Sequence, residues 1–300
     1  MNFNRNEWLK ERRKGIGGSD VAAILGMSKW KTPLDIFLDK TGQLVDAPDN
    51  APMLWGRNLE PVVRQHYSDV TGRTVRVPSE ILRHPEHEFM LANLDGLTND
   101  GRVLEVKTAR TGDEWGEEWT DQIPAQYLLQ VQHYLCVTGR HVADVAVLIG
   151  GQDFRLYHVE EDLELHGILI EREGEFWNHN VVAGVPPEPV TYSDMIATYG
   201  RKSVAKEVEA DANTFQAVLG LKSIKQEIAK LEQEEETLKA IIFRALGRRD
   251  TLTNDGRVVA TWKESKPRQT IDSKALQAAY PEIYRQFLKT GEPSRRFLLK

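Results

Sequence analysis

Asp95, Glu105 and Lys107 stand at spacings that gather two acids and an amine around one tight turn. In VLEVK, Glu105 and Lys107 alternate with Leu104 and Val106. A strand here therefore sends the charged pair to one face and the apolar pair to the other. The preceding LTNDGRV (residues 97–103) is a hairpin signal, because Gly supplies the positive φ that a tight loop needs. If Asn99, Asp100 and Gly101 form a three-residue loop, Thr98 pairs with Arg102 and Asp95 falls opposite Glu105, their Cβ atoms ~4.5–5.5 Å apart. A two-residue loop shifts the register by one and turns Asp95 to the wrong face. Neighbouring carboxylates repel unless something neutralises them, and a hard divalent cation with oxygen ligands does this well. With Lys107 alongside to hold and polarise a water, the set suits metal-assisted hydrolysis of a phosphodiester. A surface hairpin carrying an ordinary Glu–Lys pair satisfies the same letters.

The chain carries an internal control. LTNDGRV recurs at residues 252–258, where Asp250 matches Asp95 but Ala260 and Trp262 replace Glu105 and Lys107. The second copy is expected to be a hairpin without a site.

The elements around the first copy are punctuated by caps and breakers. Ser19 precedes DVAAILG, and Thr32-Pro33 opens PLDIFLDKTG, with Gly26 and Gly42 as stops. MLWGRNLEPVVRQHYSDVTG reads as a helix ending at Gly72, rearranged near Pro61. Strands are expected near 74–83, 89–97 and 102–108, then a helix in IPAQYLLQVQHYLCVTG closed by Gly139. Strands in HVADVAVLIGG and FRLYHVEED and a helix over roughly 161–181 lead to the breaker-rich VPPEPVTYSD. The mixture indicates an α/β or α+β domain over residues 1–190. Residues 191–300 read as an accessory domain. A long helix over about 203–247 shows apolar residues alternating three and four apart from Leu221 to Ile242, a coiled-coil-like or helical-hairpin pattern. A hairpin at about 250–263 and a basic helical tail follow.

Composition sets the outer limits. Net charge is −6, yet residues 201–300 hold 20 Lys/Arg against 14 Asp/Glu, leaving the first 200 residues acidic. An acidic front suits a cation site, and a basic tail suits nucleic acid as well as it suits a solvated face. One cysteine, Cys136, excludes intrachain disulfides and multi-cysteine metal sites. MNFNRNEWLKERRKG lacks the apolar core of a signal peptide, and no apolar run is long enough to span a membrane. The expectation is a cytoplasmic protein without membrane contact.

Asp…Glu-x-Lys in this setting resembles the PD-(D/E)xK nuclease superfamily, with Leu94 where that superfamily usually has Pro. ERRKGIGGSDVAAILG is similar to the opening of the YqaJ-type viral recombinase family, related to lambda exonuclease. LWGRNLEPVV and PAQYLLQVQHYLCVTG resemble that family's helical motifs in the same order. The resemblance implies a restriction-endonuclease-like core, a mixed central sheet flanked by helices. It also implies roles. Asp95 and Glu105, helped by the Val106 carbonyl, would bind Mg²⁺, with Mn²⁺ as substitute, and Lys107 would orient or activate the water. Glu60 would add an acidic group there, and Gln130, preceded by Tyr127, would position the water or the scissile phosphate. Arg13 and Ser19 would grip a 5′-terminal phosphate, with Arg12 competing for the place of Arg13. Ser19 is equally a good N-cap, Glu60 an ordinary exposed helix residue and Gln130 a helix-surface bridge.

The activity implied is a Mg²⁺-dependent exonuclease that degrades linear double-stranded DNA 5′ to 3′. It would leave 3′ overhangs for a single-strand annealing protein and work as a ring-shaped homotrimer. A structure-specific or nicking endonuclease on the same fold and a non-catalytic DNA-binding recombination or packaging module are the alternatives; the intact Asp95, Glu105 and Lys107 argue against the latter. The twin hairpins give a direct test. Asp95→Ala, Glu105→Ala or Lys107→Ala should each lower turnover by about 10²-fold or more, and Asp250→Ala should leave it intact. Equal losses at Asp95 and Asp250 would refute the division.

Overall fold

Caps and breakers set the front of the chain, though not always the residues expected. The structure, a computed structural model, describes residues 5–44, 50–201, 203, 207–291 and 293–300. It divides into two compact units, Met1–Thr198 and Tyr199–Lys300. In the first, α1 (Arg5–Arg12) leads through β1 (Ile16–Gly17) into α2 (Gly18–Ile24) and α3 (Pro33–Lys40). Thr32 caps α3 by accepting the Asp35 N–H at 3.2 Å, ahead of Pro33 in the first turn. Ser19 caps nothing: it lies inside α2. Gly17 takes the cap position, its N–H donating to the Asp20 carboxylate at 3.1 Å. α4 (Ala51–Thr71) runs unbroken through Pro61 and stops at Gly72, φ 70°. Pro61 is exposed, so the carbonyl its missing N–H frees is open to water and no rearrangement is needed.

The strands divide more finely than the letters suggest. Residues 74–83, expected as one strand, give β2 (Val75–Arg76) and β3 (Leu82–Arg83), separated by Pro78, which cannot donate to a ladder. Residues 89–97 give β4 (Met90–Ala92) and β5 (Gly96–Thr98), which belong to different sheets. β6 (Val103–Ala109), α5 (Ala125–Thr138), β7 (Val142–Ile149), β8 (Asp153–Glu160) and α6 (Leu163–Glu175) follow. α6 continues as a π-helical stretch to Val182, ahead of α7 (Tyr192–Tyr199). One sheet has the order β1-β4-β3, the other β2-β5-β6-β7-β8. The larger sheet is mixed, since β6 and β7 run parallel and its other neighbours antiparallel.

Helices cover both faces of the larger sheet. Leu104 and Val106 pack with Val63 and Tyr67 of α4, whereas Val103, Val145 and Val147 pack with Val131 and Leu135 of α5. Glu105 and Lys107 share the α5 side by strand alternation. α2 and α3 join α5 and α6 in a third cluster built on Val21, Phe37, Leu129 and Leu169. α7 extends the first unit past residue 190, anchored by buried Asp194, which accepts from Thr32 Oγ1 at 2.9 Å.

The second unit holds α8 (Ala212–Leu246), a hairpin of β9 (Thr251–Asn254) and β10 (Arg257–Thr261), and two short helices, α9 (Ser273–Ala279) and α10 (Pro281–Phe287). Asp211 caps α8, so the helix starts later than residue 203; residues 204–206 lie outside the described ones. Its apolar seam is open, with Ile224, Ile228, Leu231 and Leu238 all exposed. Among the described residues, no helix is long and apolar enough to cross a membrane.

One close approach holds α2 to α5. A Cβ on Gly18 would meet Tyr134 Cε1 at 2.6 Å and Gln130 Cγ and O at 3.0 Å. Gly18→Ala should therefore cost about 1–3 kcal/mol by overpacking, read as a lower urea midpoint. An unchanged midpoint would show that the two helices can part freely.

Candidate active site

The first LTNDGRV hairpin takes the register that brings its acids together. Leu97 pairs with Val103 and Gly96 with Leu104, and the Thr98 N–H donates to the Arg102 carbonyl at 3.0 Å. Gly101, φ 91°, supplies the turn's positive φ. Asp95 stands just outside the ladder, where the chain leaves one sheet for the other. Its Oδ2 accepts the Val106 N–H at 2.8 Å, which fixes the carboxylate against β6. Glu105 is 2 % exposed, and its Oε1 receives Lys107 Nζ at 2.5 Å and Gln130 Nε2 at 2.7 Å. Lys107 Nζ also donates to Gln130 Oε1 at 3.0 Å, so the three side chains close a ring. Behind it, Gln130 Nε2 reaches the Tyr134 hydroxyl at 3.0 Å. The Lys107 ammonium lies 4.7 Å from the Tyr127 ring centre, and buried Trp115 stacks on Tyr127 at 5.7 Å.

Burial makes this cluster electrostatically tense. The Asp95 carboxyl is pushed well above the usual range by burial first, then by Glu105 and Glu60. Glu105 is raised by burial, with Glu60 adding and Lys107 opposing. Burial works against the Lys107 ammonium, but Glu105 and Asp95 outweigh it and raise its pKa. Arg64 ties the third acid in place: its Nη1 donates to Glu60 Oε1 at 2.8 Å and to the Asp95 main-chain oxygen at 2.7 Å. Glu105 Oε2 is buried without a hydrogen-bond partner, as is Asn93 Oδ1.

An orphaned carboxylate oxygen beside a second, half-buried carboxylate is a site that a hard cation satisfies. Asp95, Glu105 and the Val106 carbonyl are oxygen donors of the right kind, so the residues fit such an ion. Among the described residues, no three His, Cys, Asp or Glu side chains stand ready to hold a metal by themselves. Main-chain oxygen or solvent would have to complete the set.

Asp95, Glu105, Val106, Lys107, Glu60, Tyr127 and Gln130 all line one cavity of about 480 Å³, and Arg12 and Ser19 line it too. Arg12 Nη2 donates to Ser19 Oγ at 3.0 Å and to Asp20 Oδ1 at 2.9 Å. Arg13, favoured over Arg12 from sequence, is directed elsewhere: its Nε bonds Asp39 Oδ1 at 3.0 Å and it is absent from the cavity wall. One step along a helix rotates a side chain by about 100°, which separates adjacent arginines this completely. Trp115 is buried, whereas Trp119 is exposed. Sequence reasoning missed Arg64, Tyr134 and Trp8. Each lies four residues from a recognised residue on the same helix, a spacing that places side chains together.

Asp20 is the post on which Arg12 hangs. Its Oδ2 also meets Lys40 Nζ at 2.6 Å, and both partners' side chains are fully buried. Burial pushes the Asp20 carboxyl up, yet Lys40 and Arg12 together drive it far below the usual range. Its contribution to stability is thus complete above the unfolded value near about pH 4 and fades as pH falls below it. Asp20→Asn should cost about 3–5 kcal/mol at neutral pH by stranding buried Lys40, and should flatten the acid limb of the stability profile. Urea unfolding at several pH values checks both; wild-type stability in the variant would refute the assignment.

The chain has relatives that bear on this geometry. Residues 7–141 match the YqaJ-like viral recombinase domain. The protein YqaJ of Bacillus subtilis (strain 168) is 37 % identical over 309 aligned residues, covering 99 % of this chain and 95 % of that one. Protein R354 of Acanthamoeba polyphaga mimivirus is 29 % identical over 145 residues, 44 % of this chain and 26 % of its own. Among solved structures, the alkaline exonuclease LHK-Exo of Laribacter hongkongensis aligns over 60 % of this chain and 94 % of its own, with a TM-score of 0.49 at 21 % identity. A phage-related exonuclease from Haemophilus somnus 129PT aligns over 57 % and 96 %, with a TM-score of 0.43 at 14 % identity. The full-length match to YqaJ spans both units and every residue of the cavity, and on that ground this chain belongs to the YqaJ-like viral recombinase family.

Proposed function

We propose that the chain is a metal-dependent deoxyribonuclease, an exonuclease that digests linear double-stranded DNA from its 5′ ends. The observation that carries this is the single cavity whose wall combines the Asp95–Glu105–Lys107–Gln130 cluster with Arg12 and Ser19. One half of that cavity is anionic and short of a cation, and the other offers a guanidinium and a hydroxyl to a phosphate.

Asp95, Glu105 and the Val106 carbonyl would hold Mg²⁺ or Mn²⁺, which when bound supplies charge to the scissile phosphate and acidity to water. The chain's own groups do the rest. Gln130 locks Lys107 and Glu105 in place, and the Lys107 ammonium, bonded to both, keeps a third N–H for a water. Lys107 remains protonated, so it orients that water and offsets negative charge as the phosphate is attacked. Glu60 stands at the rim, held by Arg64, as an acceptor for the proton the water gives up. Arg12 and Ser19 hold the terminal phosphate, and the distance between this end and the acids decides which bond is presented. Arg12 and Lys40 share one carboxylate, Asp20, which leaves the phosphate half net positive.

Membership of a viral recombinase family supports a recombination role: 3′ overhangs passed to a single-strand annealing protein. A homotrimer enclosing the duplex and a cytoplasmic location belong to the same reading. The cavity lies wholly within the first unit. We assign the Tyr199–Lys300 unit to holding DNA or a partner, on the strength of its basic excess.

The purified protein should digest linear duplexes carrying a 5′ phosphate in Mg²⁺ or Mn²⁺, release label from the 5′ end first and spare closed circles. Ca²⁺ should bind without supporting turnover, because its looser coordination leaves the water unplaced. Removing the 5′ phosphate should slow the reaction, and Arg12→Ala should abolish that difference while Arg13→Ala preserves it. Cutting of closed circles would favour an endonuclease instead, and indifference to the phosphate would remove the end pocket.

A further inference from the structure

One buried polar pair in the first unit lies outside the cavity wall. His133 of α5 and Glu173 of α6 are both fully buried. The ring is bonded at both nitrogens: Nδ1 meets Glu173 Oε1 at 2.9 Å, and Nε2 meets the Leu91 carbonyl at 2.9 Å. A carbonyl only accepts, so Nε2 carries the hydrogen of that second bond. One further proton lies between Nδ1 and the carboxylate. Burial works against the imidazolium, but Glu173 outweighs it and raises the His133 pKa. Glu173 Oε2 is buried without a hydrogen-bond partner. Such a pair is often no more stabilising than apolar residues of the same size, so stability alone does not account for it.

What the ring joins gives it a use. Leu91 sits in β4, from which the chain runs on to Asp95, and it pairs with Gly17 of β1, directly ahead of the helix that carries Ser19. His133 stands one helical turn from Gln130, the amide bonded to Glu105 and Lys107. The Nε2–H bond to Leu91 therefore pins α5 to the strand from which Asp95 and, through β1, Ser19 extend. We propose that His133 is a positioning residue for phosphodiester cleavage, fixing through Leu91 where Gln130 stands relative to Asp95 and Ser19. This rests on the nuclease reading above and deepens it. Glu173 holds the ring so that Nε2 is the nitrogen that donates to Leu91. Neither residue touches substrate. A displacement of about 1 Å between the amide and the acids is enough to slow the attack by up to about 10²-fold.

Amide substitutions separate the ring's two bonds. A glutamine amide reaches the place of Nε2, so His133→Gln keeps a donor for Leu91 and gives up Glu173. An asparagine amide reaches only the place of Nδ1, so His133→Asn keeps Glu173 and gives up Leu91. Glu173→Gln keeps both bonds, because a neutral ring still donates from Nε2 and accepts at Nδ1 from the new amide. Full-length proteins are compared by urea midpoint, by anisotropy on a 5′-phosphorylated linear duplex without divalent metal, and by kcat and KM in Mg²⁺. Glu173→Gln and His133→Gln should keep kcat within about threefold of wild type. His133→Asn should lose about tenfold or more in kcat, with KM and metal-free binding changed by less than about twofold. Both His133 variants should lower the urea midpoint, since each strands a buried group, yet only one should lower kcat. Wild-type kcat in His133→Asn, or kcat that merely follows the urea midpoint across the three variants, overturns the positioning role. A His133→Gln protein that loses tenfold in kcat overturns it equally, so the test stands even where the asparagine variant does not fold. Failure of wild type to cut any linear duplex would overturn the nuclease reading and this role together, whereas cutting that ignores the Leu91 bond overturns this role alone.

Discussion

A buried carboxylate, Glu105, held against a half-buried one, Asp95, constrains everything else in the first unit. Asp95 and Glu105 face one another across the opening of a hairpin, Glu105 buried and Asp95 half-buried, and burial with the charges of Glu105 and Glu60 makes Asp95 harder to ionise. Left alone, such a pair would relax by slipping register or turning outward. It is held by groups that have no freedom to follow: a main-chain N–H of β6 on Asp95, an amide from α5 and the neighbouring Lys107 on Glu105. Helices on both faces of the sheet are therefore not mere cover. α5 supplies the amide and α4 supplies Glu60 and Arg64, and the apolar contacts of each with the sheet fix how far those polar tips reach.

The same logic explains why like and unlike charges are segregated over so short a span. The acids cluster where the chain passes between two sheets, whereas Arg12 and Lys40 converge on one carboxylate from α1 and α3. Neither half could be moved without disturbing a core. Gly18 lies between them, at the contact of α2 with Tyr134 and Gln130, where only a residue without a side chain fits.

Much of this was legible in the letters, because it rests on alternation and on caps. Strand alternation put Glu105 and Lys107 on one face, and the three-residue loop put Asp95 opposite them. Thr32-Pro33, Gly72 and Gly139 marked helix ends correctly. What failed depended on rotation or on distant partners. Arg12 and Arg13 are equivalent as letters and differ only in which way the helix turns them. Ser19 lost its cap to Gly17 because Asp20, tied to Lys40 and Arg12, already receives the Gly17 N–H. The segment around Asp95 read as one strand because nothing local announces that the chain changes sheets there.

The twin LTNDGRV segments show one set of letters closing two different turns. In the second, Asp255 and Gly256 both take positive φ, 48° and 74°, and Asn254 pairs with Arg257: the two-residue turn these letters prefer in isolation. In the first, Asn99 is captured by Thr74, its N–H donating to the Thr74 carbonyl and its side-chain oxygen accepting the Thr74 N–H. Thr74 lies just past the end of α4, so a contact from outside the hairpin joins the turn's own bonds from Thr98 Oγ1 to Asp100 and from the Arg102 N–H to Thr98 Oγ1. The two-residue alternative would misalign the acids by one residue. The register that defines the site thus rests on a partner outside the hairpin as well as on the turn itself.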